Sequence, residues 1–172
     1  MKKPEDVVAA CGLVLGGVFG LAGTLVTEQS LRAAAWAIDG AALVAATALL
    51  ALKYFRKGND LVAAGFLVYA IGEAVMLSGT ALTPEGSVPS FGAGTALWSA
   101  ALLLTGLPTE FAGWIRAVSG IGAVLFAIVA GRIFWGEPVT PIASPLPFFA
   151  YPFLVLTFAG WFWTLMKTDR GS

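Results

Sequence analysis

Histidine is absent from this chain, and cysteine occurs once, at Cys11. Those two gaps remove most familiar site chemistry. Haem ligation through histidine, His/Cys zinc centres and Ser-His-Asp catalysis all need residues that are not here. An internal disulfide needs a second thiol. No Gly-x-Ser-x-Gly nucleophile turn is present, which leaves an enzyme only a carboxylate mechanism, and no matched pair of acidic motifs supports one. The expectation is a non-enzyme without metal or cofactor. Charge is scarce too: ten basic and ten acidic residues make up 12% of 172, for a net charge of zero. Soluble domains carry about a quarter. No basic block appears, which argues against a nucleic-acid partner.

What is present is apolar, 58% of the chain. Long hydrophobic runs separate short polar joins, and period-2 alternation of barrel strands is missing. In lipid every backbone N–H and C=O must be satisfied within its own segment, so such runs fold as helices. The reading is an all-α, polytopic integral membrane protein, one transmembrane domain over 1–172, with six helices in a compact bundle. Its spans fall at about 6–26, 31–54, 61–82, 90–107, 110–134 and 148–166. Val8-Ala9-Ala10-Cys11 matches a lipoprotein cleavage box, but the apolar run follows the cysteine, so the match is read as accidental and the run as a retained first span.

Lysine and arginine placement gives an orientation. With the N-terminus in the cytoplasm, inner segments hold Lys2, Lys3, Lys53, Arg56, Lys57, Lys167 and Arg170, while outer segments hold Arg32 and Arg132. That asymmetry predicts both termini inside, in the inner membrane of a bacterium. Trp161, Trp163 and Lys167 are expected to mark an interface, and the aromatic residues of the last span to face lipid. Sliding the chain by 57 residues also aligns spans 3–4 with spans 5–6. Gly65, Ala70, Ile71, Gly79, Thr83, Pro84, Ser87, Phe91, Ala93 and Leu97 match Gly122, Ala127, Ile128, Gly136, Thr140, Pro141, Ser144, Phe148, Ala150 and Leu154. Either a duplicated helical hairpin or shared composition accounts for this.

Span 3 organises the rest. It carries one central charge, Glu73, and a carboxylate at that depth needs a partner, a proton or a wet cavity. Gly65, Gly72 and Gly79 recur every seven residues as a seam for close helix approach. Tyr69 lies one turn before Glu73 on the same face. Span 2 holds Asp39 at similar depth, with Trp36 one turn earlier, and Arg132 near the end of span 5 is expected to reach both acids. Arg116 lies too low to join them. Two acids against one arginine leave one carboxyl for a proton or a cationic ligand. In span 1, Gly12, Gly16 and Gly20 form a small-residue face for close packing.

Two functions stay open. One is a transport or binding protein that handles a proton, cation or small solute at Asp39, Glu73 and Arg132, with Tyr69 and Trp36 beside them. The other is an accessory subunit of a larger membrane complex, or a homo-oligomer, docking through the Gly12-Gly16-Gly20 face. In both the lipid bilayer is the first partner.

Overall fold

A computed structural model describes residues 3–167. Lys2 and Arg170, which entered the charge count above, lie outside the described residues. Six helices run in order: α1 (Pro4–Leu25), α2 (Gln29–Arg56), α3 (Asp60–Leu77), α4 (Val88–Gly106), α5 (Gly113–Phe134) and α6 (Tyr151–Met166). Among the described residues there is no strand. The first five helices are long and apolar enough to cross a membrane; α6 has 16 residues.

Local chemistry accounts for where the helices stop and start. Glu28 caps α2, its carboxylate accepting from the Ser30 N–H (3.0 Å) and the Leu31 N–H (2.6 Å). The Arg32 guanidinium donates to the Val26 carbonyl (2.6 Å) just past the end of α1. Gly58, at φ +71°, ends α2, and Asn59 caps α3. Arg116 donates to the Gly106 and Leu107 carbonyls, both at 3.0 Å, and so closes α4. A guanidinium is a natural cap for the carbonyls that a helix leaves unpaired at its C-terminus.

Three boundaries differ from the sequence reading. α3 stops at Leu77 rather than near residue 82. The Ser78 and Thr80 hydroxyls bond back to the Val75 and Leu77 carbonyls (2.6 and 2.9 Å), and the chain continues in turns. α5 starts at Gly113 rather than near residue 110. Glu110 instead reaches Lys57 (3.5 Å) and Asn59 (3.3 Å), while Phe111 is buried. α6 starts at Tyr151 rather than 148, with Pro152 in its first turn, where a missing N–H costs nothing.

Each helix packs against its neighbours in sequence, and α6 returns to α1, so the six close into a ring. Connections of three residues join α1 to α2 and α2 to α3, so successive helices run in opposite directions. Glycine sets how closely they approach. A Cβ on Gly12 would lie 2.7 Å from the Ala42 carbonyl oxygen and 2.8 Å from the Ala46 Cβ. Gly16 and Gly20 face Leu43 and Asp39. The α1 face read for close packing, and alternatively for docking, packs on α2 of the same chain. Gly65, Gly72 and Gly79 do form the seam read from their spacing, and α4 fills it: they abut Thr105, Leu97 and Ser90.

A ring of six helices needs something in its middle, and here aromatic side chains supply it. Phe66 on α3 meets Trp161 on α6 edge-on at 4.7 Å, and Tyr69 contacts Phe158 and Trp161 at 5.8 and 6.0 Å. Tyr54 and Phe111 extend the cluster toward the end where α2 finishes. Trp161, expected at an interface, is 1% exposed. The α6 aromatics therefore divide. Phe148, Phe149 and Trp163 face outward as expected; Phe158 and Trp161 do not. Among buried hydroxyls, Thr95 bonds its own helix at Gly92, and Ser99 bonds the Ala123 carbonyl of α5 (2.8 Å).

Candidate functional site

The aromatic cluster fills only part of the ring. Toward the end where α1 and α3 finish and α2, α4 and α6 begin lies a cavity of about 80 Å³. At roughly 10–15 Å³ for one water, that is space for on the order of five or more. Each wall is one helix face. α2 contributes Trp36, Asp39, Gly40 and Leu43, and α6 contributes Tyr151, Leu154, Val155 and Phe158. Both sets follow the i, i+3, i+4, i+7 spacing of one helical face. α1 presents Gly16, Gly17, Gly20 and Leu21, whose missing side chains create part of the space. Glu73, Met76 and Leu77 come from α3, Ser90, Phe91 and Trp98 from α4, and Pro141 from the loop before α6.

Both acids read from the sequence are here. Glu73 is 2% exposed, and Asp39 is half-buried with its carboxylate against Gly20. Among the described residues neither forms an ion pair. Glu73 Oε1 and Asp39 Oδ1 are both shielded from solvent without a hydrogen-bond partner. Tyr69 and Trp98 face Glu73, yet the Tyr69 hydroxyl and Trp98 indole N–H complete no hydrogen bond of ordinary geometry. A buried polar atom left unpaired costs on the order of 1–3 kcal/mol, more for a charged one. Several such atoms gather around Glu73 and Asp39, and each calls for a partner that the surrounding protein groups do not supply in this geometry.

Arg132 is the correction. It was expected to be the counter-charge of the two acids, but its guanidinium bonds Glu137 at 2.7 Å, half-exposed, and it does not line the cavity. One turn past the end of α5, Glu137 is reached without bending inward, whereas the acids would require the arginine to give up water. Four other basic groups are committed too: Arg32 and Arg116 to helix ends, Lys53 to Asp6 (2.6 Å) and Lys57 to Glu110. Among the described residues no lysine or arginine lines the cavity. Trp36 is placed there as expected, also packing on Gly23.

The sequence reading missed the opposite wall. Phe91 and Trp98 of α4 and Tyr151 and Phe158 of α6 bring four further rings to the cavity, where the aromatic residues of the last span had been expected to face lipid. The signal was available: Tyr151 and Phe158 are seven apart, with Leu154 and Val155 between them, so they share a face. The chain matches no protein-family model, no curated protein and no solved structure.

Proposed function

We propose that this chain is a six-span membrane protein that binds, and carries part-way across the bilayer, a small cation at Asp39 and Glu73. One observation carries the reading: two carboxyls line one half-enclosed cavity that, among the described residues, no basic side chain lines. In a low-dielectric bundle two such groups need positive charge from elsewhere, as a proton or as a ligand. The basic residues support an orientation. Lys3, Lys53, Arg56, Lys57, Arg116 and Lys167 gather at the end away from the cavity, which by their excess is cytoplasmic. The cavity then faces outward across a bacterial inner membrane. The sixth span is the turn at 148–150 continued into α6. Spans 3–4 and 5–6 are proposed as a duplicated hairpin, in which the ends of α3 at Leu77 and α5 at Phe134 differ by the offset of 57.

The test is thermal unfolding of the purified protein against a panel of monovalent cations and pH. A cation bound only by the folded state, at one hundred times its Kd, adds about 2.7 kcal/mol. For a chain of this length that raises the midpoint by roughly 5–10 °C. Glu73→Gln and Asp39→Asn should fold and lose the response. A parent whose midpoint ignores every cation and does not depend on the two acids would end the reading.

A further inference from the structure

The walls of the cavity say which kind of cation fits, and this step rests on the cation reading above. We propose that the occupant is a small alkylammonium ion, held by the rings of Trp36, Phe91, Trp98, Tyr151 and Phe158 with Asp39 and Glu73 as counter-charges.

The lining decides between an organic and an inorganic ion. A metal ion stripped of water requires about six oxygen ligands in place of its hydration shell. Among the described residues two carboxyls are the only ionic oxygens here, and no group of three His, Cys, Asp or Glu converges. The hydroxyls at the rim are already turned to the backbone. Thr80 donates to Leu77, Ser87 to Pro84, Ser90 to Ser87 and Tyr151 to Pro141, at 2.7–2.9 Å. The remaining walls are ring and aliphatic carbon. An aromatic face attracts a cation through its quadrupole, most strongly when water is excluded, and aromatic cages are how proteins hold methylated ammonium ions. The methyl groups would lie on the apolar walls while the charge faces the acids.

Size narrows the class. An apolar cavity of about 150 Å³ accepts benzene, with six heavy atoms. The 80 Å³ here suits about three or four, the size of dimethylammonium or trimethylammonium. Tyr69 and Trp98, facing Glu73 with unpaired N–H and O–H donors, would steady its carboxylate while the ligand supplies the positive charge.

Trp36 and Trp98 line the cavity, so tryptophan fluorescence of the full chain in detergent reports occupancy. Titrations would use methylammonium, trimethylammonium, sodium, potassium, guanidinium and, as a neutral shape match, tert-butanol. The expected result is saturable binding of trimethylammonium, at least tenfold tighter than sodium, potassium or guanidinium, with no saturation by tert-butanol. Glu73→Gln or Asp39→Asn should weaken it tenfold or more; the half-buried Asp39 serves if the Glu73 variant fails to fold. Phe91→Leu should weaken trimethylammonium but not any residual sodium binding. Sodium or potassium binding that depends on Glu73, with trimethylammonium inert, would overturn the alkylammonium assignment and leave the cation reading standing. Equal binding of tert-butanol would overturn the assignment by showing a merely apolar pocket. Silence from every ion would overturn both.

Discussion

Glu28 and Glu73 are the same residue type with opposite circumstances. Glu28 is solvent-exposed in the first polar join, and the Ser30 hydroxyl, followed by the Ser30 and Leu31 N–H groups, holds its carboxyl below the usual range. Folding lowers that pKa, so the charged cap stabilises the fold above the unfolded value near 4.3 and loses its contribution as pH falls through the folded one. A Glu28→Gln chain should therefore unfold at a lower temperature than the parent near neutrality, and the gap should close in acid. A gap that is constant with pH would show that the carboxylate's charge is irrelevant. Glu73 is buried and, among the described residues, outside any ion pair, and its position was legible in the sequence because a lone charge in an apolar run must be accommodated somehow. Arg132 was misread for a related reason. Depth along a helix is countable from sequence, but which way a flexible guanidinium turns depends on a competitor, Glu137, whose reach the linear pattern does not show.

At the scale of elements, periodicity carried far. The six helices and the Gly65-Gly72-Gly79 seam follow from spacing alone. The division of α6 into an outward and an inward aromatic face did not, because in lipid both faces of a helix are apolar and hydrophobicity no longer points to the core. Glycine is the better guide, since a missing side chain means something only where another backbone comes close. Gly12→Val drives carbon into the Ala42 carbonyl, a backbone atom that cannot rotate away. The expected cost is about 1–3 kcal/mol, seen as a fall of several degrees in thermal midpoint. Gly131 has open space around it, and Gly131→Ala should be neutral or slightly stabilising through helix propensity. Equal losses at both positions would mean that helix propensity, and not the α1–α2 contact, governs them.

The whole molecule is polarised: the Lys53–Asp6 and Lys57–Glu110 pairs lie at one end, and a cavity with two acids outside any ion pair lies toward the other. Its orientation can be read directly. Cysteines at Gly58 and Gly86 in a Cys11→Ala background should react with an impermeant maleimide from opposite sides of the membrane, Gly86 from outside. Labelling of both from one side would remove a span from between them. The aromatic floor of the cavity has an electrical consequence. Under the proposed function, an ion that entered would stop there, having crossed only a fraction of the membrane potential. Glu73 and Asp39 lie on average about 10 Å along their helices from the cavity end, a third of a 30 Å hydrocarbon core. A full crossing corresponds to about 2.3 kcal/mol per 100 mV for one charge, so binding here should change by roughly 0.8 kcal/mol, or about fourfold in occupancy. A voltage negative on the cytoplasmic side would draw the ion in and tighten apparent affinity. The bundle would then act as a capacitor with one accessible plate, giving a transient, saturable charge movement when ligand is added to a planar bilayer and no steady current.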